Sequence, residues 1–158
     1  MSLSRKPIRF NAFSMNAPVH QSPGLWRHPR NRARDFKNLS YWTDLAQLLE
    51  KGRFDALFLA DVMGFSDVYG GNIESALRRG VQAPLHDPLI LVAALSSVTR
   101  ELGFGVTFSL TYEQPYPFAR RISQLALVEK TYERSGGFLD RAARHVDHRP
   151  AIVSEHSP

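Results

Sequence analysis

The stretch FGVTFSLTYEQPYPFARR, residues 104–121, decides the predicted fold of this sequence. It starts as a short apolar segment typical of a buried strand, continues through polar residues, and reaches Pro117, which we expect to open a helix. A segment of the same kind, residues 54–64, ends its apolar run at Asp61. Strands that end in polar side chains and are joined by helices are typical of parallel α/β enzymes, which present their chemistry at one face.

The apolar runs predict three strands, at residues 8–13, 54–60 and 104–108. Helices are predicted between and after them. Ser40 would be the N-cap of a helix that ends at Lys51-Gly52, and a short helix is expected around residues 74–79. Asp87-Pro88 would open the next helix, and Pro117 would open a last one to about residue 130. The order β-α-β-α-β-α predicts a parallel sheet with right-handed crossovers.

The connections that follow strands are long and polar, whereas those that lead from helix to strand are short. The long ones cover residues 14–39 and 61–86. Loops of this length are uncommon unless they have a function or are disordered. We therefore expect the working face at the carboxyl ends of the strands.

The composition fits a packed domain, with 43% hydrophobic residues, 11% aromatic residues and no cysteine. No apolar run is long enough for a membrane span and the first residues do not resemble a signal peptide, so a cytoplasmic location is expected. The net charge of +5 is concentrated in residues 27–37. A solvated, flexible loop is the simpler interpretation of this basic run, and a phosphate or nucleic-acid contact is the alternative. The histidines show no metal-ligand spacing, so no metal is expected.

Several phrases occur together in an order that resembles one family. They are IRFNAF at 8–13, GLWRHP at 24–29, YWTDLA at 41–46, FLADV at 58–62, QAP at 82–84 with DPL at 87–89, and PY at 115–116 with ARR at 119–121. The sequence over residues 6–125 resembles the bacterial-luciferase-like flavin-dependent monooxygenases, in the branch with the nitrilotriacetate, dibenzothiophene-sulfone and long-chain alkane monooxygenases.

The resemblance implies an α/β fold that is the N-terminal (βα)3 portion of a TIM (β/α)8 barrel, incomplete in this chain. It implies reduced flavin mononucleotide (FMN), supplied by a separate flavin reductase. It also implies molecular oxygen as the oxidant of a small organic substrate. No nucleic-acid partner is expected, on separate grounds: aromatic residues flank the basic run but do not alternate with it as a base-stacking surface would.

The resemblance also assigns candidate site residues by position. Asp61, Thr107 and Ser109 would contact the flavin, and His20 and Gln82 would line the substrate pocket. No residue is assigned to catalysis. Apart from the resemblance, each has an ordinary structural explanation. Asp61 could be a turn carboxylate and Thr107 a strand threonine, and the other three could be polar loop residues.

The family pattern breaks down after Leu125. We interpret residues 1–130 as the N-terminal part of the barrel domain and residues 131–158 as a divergent, irregular tail, from a frameshifted or mis-spliced gene. The expected consequence is a truncated, inactive fragment that self-associates or pairs with a homologue through exposed sheet edges. A non-catalytic interaction module and a basic nucleic-acid binder remain the alternative functions.

Overall fold

The computed structural model describes residues 8–20, 24–108 and 111–131. Within them are strands β1 (Asn11–Met15), β2 (Ala56–Ala60) and β3 (Gly103–Val106), and helices α1 (Leu39–Lys51), α2 (Glu74–Arg79), α3 (Pro88–Ser96) and α4 (Pro115–Thr131). Ser109 and the predicted tail from residue 132 onwards lie outside the described residues.

The three strands form one parallel sheet in the order β1-β2-β3, which confirms the predicted topology. Phe13 pairs with Phe58, and Phe58 pairs with Gly105 on its other side. The first strand begins at Asn11, later than predicted. Just before it, the Asp55 carboxylate accepts the backbone N–H of Phe10 at 2.8 Å, so a side chain replaces the neighbouring strand as the partner of that group.

One face of the sheet is covered by helices and the other is open. Leu57, Leu59 and Phe104 point to the covered face and join the main core with residues of α1, α3 and α4, among them Trp42, Ala46, Val92, Leu95 and Leu125. The opposite face carries Phe13 and Phe58, whose rings stack with centroids 5.7 Å apart. Phe13 remains 56% exposed, because no element of the described chain covers this face.

Two of the predicted helix starts were wrong. Helix α1 begins at Leu39, with Asn38 as N-cap and no side-chain capping bond, so Ser40 lies inside the first turn. Packing places this start: the indole Nε1–H of Trp42 donates to the Phe36 carbonyl at 2.7 Å and ties the entry of the helix to the preceding turn. Helix α4 begins at Pro115 rather than Pro117, since proline fits any position of a first turn that needs no N–H donor.

The predicted start of α3 is confirmed. The Asp87 side chain accepts the backbone N–H of Leu89 at 2.7 Å, and Pro88 follows as the first helical residue. Helix α2 matches the short helix predicted around residues 74–79.

The connection after β1 is more regular than the solvated, flexible loop predicted for its basic run. Part of the basic run lies in two short 3-10 helices, Leu25–Arg27 and Ala33–Lys37, and Phe36 of the second is buried. A buried aromatic anchors this segment on the main core, so residues 27–37 are not simply a solvated, flexible loop.

Candidate functional site at the carboxyl end of the sheet

Two of the predicted flavin-contacting residues lie at the same end of the sheet. Asp61 directly follows β2, and Thr107 directly follows β3. The Thr107 N–H donates to the Leu59 carbonyl at 3.2 Å, which extends the β2–β3 ladder to this point. Parallel strands present their carboxyl ends together, so the fold places the Asp61 and Thr107 side chains on neighbouring strand ends.

The loops that carry His20 and Gln82 are hydrogen-bonded to each other. Val19 and Val81 form a parallel bridge, and the Gln82 N–H donates to the Val19 carbonyl at 3.0 Å. The His20 ring lies 5.1 Å from the Phe13 ring, measured between centroids. The structure therefore joins the two predicted pocket loops directly and brings His20 against the open aromatic face.

Gln82 has an unusual backbone. Its φ is +54°, in the left-handed region that side chains other than glycine rarely adopt. Such conformations cost of the order of 1–3 kcal/mol and persist where the surrounding structure imposes them, often at functional sites.

The Asp61 carboxyl lies in an acidic environment. Partial burial raises its pKa above the ordinary value, and the negative charges of Asp87 and Glu113 raise it further, while a hydrogen bond from the Val62 backbone lowers it. Arg121 forms ion pairs with both Glu113 and, at 4.0 Å, Asp87. Asp61 therefore keeps its proton to a higher pH than an ordinary aspartate and can act as a hydrogen-bond donor over that range.

Sequence reasoning missed Asn16 as a site residue. It is only 5% exposed, its backbone carbonyl accepts the His86 N–H at 2.9 Å, and its side-chain Oδ1 is buried with no hydrogen-bond partner among the described residues. The same holds for Nδ1 of His20. The available signal was position alone: an amide side chain directly after a strand, at the working end of the sheet.

In the described part of the chain, no group of three or more histidine, aspartate or glutamate side chains is arranged to hold a metal ion. Among its helices, none is both long and apolar enough to cross a membrane.

Comparison with known proteins gives a consistent result. The chain is 57% identical over 120 residues to the long-chain alkane monooxygenase of Geobacillus thermodenitrificans (strain NG80-2), which covers 76% of this chain and 27% of that protein. It is 50% identical over 121 residues to the dimethyl-sulfide monooxygenase of Hyphomicrobium sulfonivorans, covering 77% of this chain and 25% of that one. No family model matches the chain.

Solved structures agree with the sequence matches. The crystal structure of a long-chain alkane monooxygenase superposes with a TM-score of 0.74 at 56% identity, over 77% of this chain and 28% of the other. A riboflavin lyase crystallised with modified FMN and riboflavin superposes with a TM-score of 0.73 at 38% identity, over 79% of this chain and 28% of the other.

The parallel α/β fold and these matches place the chain in the class of α/β monooxygenases. Over its matched part, the chain belongs to the luciferase-like flavin-dependent monooxygenases, in the branch of the alkane, dimethyl-sulfide, dibenzothiophene-sulfone and nitrilotriacetate enzymes. The chain spans about a quarter of the length of the curated relatives it matches.

Proposed function

We propose that this chain supplies the first three strands of the TIM barrel of a two-component monooxygenase that uses reduced FMN and molecular oxygen. The carboxyl end of its sheet forms part of the site for the flavin and a small organic substrate, and a separate reductase supplies the reduced flavin. The sequential parallel order of β1, β2 and β3 supports the barrel, because consecutive neighbouring strands are how a (β/α)8 barrel begins.

The observation that carries this proposal is a pair of unpaired polar atoms in the loop that follows β1. Asn16 Oδ1 and His20 Nδ1 are both buried without partners in the described chain, and the His20 ring contacts Phe13, which stacks on Phe58. Unsatisfied buried polar atoms cost about 1–3 kcal/mol each, so they are retained where a ligand or an ordered water completes them.

The residues present fit a flavin ring system. A planar heterocycle needs an apolar wall and a few fixed hydrogen-bonding groups. Phe13 and Phe58 provide the wall, and Gly105, opposite Phe58 on β3, adds no side chain to it. When bound, the reduced flavin would supply the electrons that activate oxygen.

The chain's own side chains would orient the ring and exclude water around it. Asp61 and Thr107 present a carboxyl and a hydroxyl at neighbouring strand ends, and Ser109 remains a predicted contact of the same kind. His20 and Gln82, on their joined loops, would border the substrate. Exclusion of bulk water from such a site limits side reactions of the activated oxygen with solvent.

The described residues contain little that could hold the flavin phosphate. Arg27 and Arg34 of the basic run lie over the ring of Trp26, and Arg32 pairs with Asp35. Tight binding of a phosphate depends on charge-assisted hydrogen bonds from preorganised donors. We therefore expect the 158-residue chain alone to bind FMN weakly and to show no oxygenase turnover.

Fragment complementation tests the proposal. The chain is mixed with a separately produced remainder of the G. thermodenitrificans alkane monooxygenase, covering the part that this chain does not match. FMN binding is followed by flavin fluorescence, and oxygenation by the alcohol formed from a long-chain alkane with a flavin reductase present. We expect FMN binding in the mixture that neither part shows alone.

Matched variants make the test specific to the site. Asp61→Asn and Thr107→Val should weaken FMN binding by the mixture, whereas Asp44→Asn and Thr43→Val on α1 should not. Micromolar FMN binding by the chain alone, lost when the basic residues between Arg27 and Lys37 are neutralised, would contradict the proposal.

A non-catalytic role in pairing with a homologue is the second candidate, and the open aromatic face favours it. Phe13 of this face is 56% exposed. A stable complex of the chain with a full-length relative, without any effect on the relative's turnover, would support this role over the first.

A further inference from the structure

Trp26 joins two loops that are far apart in the sequence. It lies in the loop after β1, and its indole Nε1–H donates to the backbone carbonyl of Arg79, at the end of α2, over 2.7 Å. The guanidinium groups of Arg27 and Arg34 lie 5.0 and 4.9 Å from the Trp26 ring centroid. The Arg34 Nε–H also donates to the Trp26 carbonyl at 3.2 Å. We call Trp26, Arg27, Arg34, Arg79 and Gly80 the Trp26 clamp.

Gly80 makes the close approach of the indole feasible. A Cβ at this position would lie 3.1 Å from Trp26 Nε1, and the Gly80 φ of +65° is itself in the left-handed region. Both the tight space and the backbone conformation therefore favour glycine. Gly80 also ends α2, so the clamp is attached to the point where that helix turns back toward the sheet.

The clamp lies next to the strained segment of the site. Val81 follows Gly80 and forms the bridge to Val19. Gln82 comes next, with its φ of +54° and its N–H on the Val19 carbonyl. His20 follows Val19 in the opposite loop, so one short bridge sets the separation of both predicted pocket residues.

Trp26 does not belong to the hydrophobic core. It is half-buried and lies in neither of the two core clusters, in contrast to Trp42, which is 2% exposed in the main core. The clamp also accounts for part of the basic run: two of its arginines hold the indole through cation–π contacts, and a nucleic-acid role is not needed to explain them.

We propose that Trp26 is a positioning residue for the site, which holds Gln82 in its left-handed conformation and keeps it in register with His20. Its role at the site rests on the proposed function, whereas its effect on the Val19–Gln82 contact does not. Loss of the indole N–H would remove the contact of the Arg79–Gly80 segment with the loop after β1 and let Gln82 relax toward an ordinary backbone conformation.

Amide hydrogen exchange on the whole chain tests the local effect. In Trp26→Phe, which removes the Nε1–H donor and keeps an aromatic ring, we expect the Gln82 amide to exchange about tenfold faster or more. The Thr107 amide, which bonds the Leu59 carbonyl at the same end of the sheet, should be unchanged. Equal acceleration of both amides would show a general loosening and overturn the proposal, as would an unchanged Gln82 amide.

Two further variants provide a substitute and a control. Arg34→Gln removes one cation–π contact and one hydrogen bond of the clamp, and should accelerate Gln82 exchange in the same direction even if Trp26→Phe fails to fold. Arg30→Gln removes one positive charge from the same run outside the clamp and should leave Gln82 exchange unchanged. If Arg30→Gln acted like Arg34→Gln, net charge rather than the clamp would be responsible.

The complemented enzyme tests the consequence for binding. In the mixture with the remainder of the alkane monooxygenase, Trp26→Phe should raise the KM for the long-chain alkane about tenfold at saturating reduced FMN, with a midpoint of thermal unfolding close to that of the wild type. An unchanged KM together with faster Gln82 exchange would overturn the positioning role. Failure of the mixture to bind FMN with wild-type chain would instead count against the proposed function, since the exchange experiment is independent of it.

Discussion

Phe13 of β1 and Phe58 of β2 stack across the open face of the sheet, with ring centroids 5.7 Å apart and planes inclined by 19°. They are directly paired residues in the parallel ladder. The contact forms an aromatic surface on the side that helices do not cover. The same surface is the wall proposed for the flavin and, when nothing covers it, a place where two molecules can associate.

We predict that exposure of this pair drives self-association of the isolated chain. Phe13→Ser should weaken a dimer by about tenfold or more, because burying a phenylalanine side chain contributes about 1.5–3 kcal/mol. Sedimentation over a range of concentrations measures the effect. Ile90→Ser on α3 is the control, since Ile90 is 74% exposed but belongs to a helix; an equal effect there would point to unspecific association.

Glu50 should be important for stability although it lies outside the site. Its Oε1 accepts the backbone N–H groups of Arg100, Glu101 and Leu102, at 2.6, 2.5 and 3.1 Å. The carboxylate at the end of α1 thus holds the turn that leads into β3. We expect Glu50→Ala to lower the free energy of unfolding by about 1–3 kcal/mol, because three N–H groups lose a charged acceptor together and that of Leu102 is partly buried.

Urea unfolding of Glu50→Ala and Glu50→Gln checks this. The glutamine keeps an acceptor oxygen in place, so its loss should be clearly smaller. Equal losses for both variants would mean that charge rather than acceptance of the three N–H groups is what matters.

The N-cap of α3 gives a second stability prediction. Asp87→Ala removes the bond to the Leu89 N–H and should cost about 1 kcal/mol, as is typical for loss of a cap. Asp87→Asn keeps a capping oxygen and should cost less. Thermal unfolding of the two variants at neutral pH separates them, and equal destabilisation would show that the Arg121 contact, rather than the cap, is responsible.

The topology of the sheet could be predicted from the sequence because each strand carries its own signal. The run from Ala56 to Ala60 is apolar on both faces, as is typical of a central strand. Asp87-Pro88 predicts the start of α3 from neighbouring residues alone, because the N-cap bond is local in the sequence. The first residue of α1 was predicted wrongly, because it depends on the hydrogen bond from Trp42 to the Phe36 carbonyl and not on the N-cap preference of Ser40.

The site was only partly predictable for a similar reason. Strand polarity is enough to place Asp61 and Thr107 at one end of the sheet. The clamp could not be foreseen, since it depends on Trp26 meeting a carbonyl fifty-three positions away. Asn16 was missed because burial without a partner is a property of the folded chain and leaves no pattern in the sequence. The roles in flavin and substrate binding stay predictions.

The acidic surroundings of Asp61 predict how stability depends on pH. Its pKa is raised above 3.8 in the folded state, so between 3.8 and the raised value the folded chain binds more protons than the unfolded chain. Stability from this group is therefore fully present below the unfolded pKa and is lost as pH rises through the folded pKa. Asp61→Asn, which cannot ionise, should raise the unfolding temperature at pH 7 by about 1–3 °C, and the difference should disappear toward pH 4.

Thermal unfolding of the wild-type chain and of Asp61→Asn from pH 4 to 8 measures this difference, and an NMR titration of the Asp61 carboxyl carbon measures its pKa directly. Asp87→Asn removes one of the neighbouring negative charges and should lower that pKa. A titration midpoint at or below 3.8, or an Asp61→Asn variant that is less stable at every pH, would mean that the carboxylate is stabilised by the fold, contrary to the charges around it.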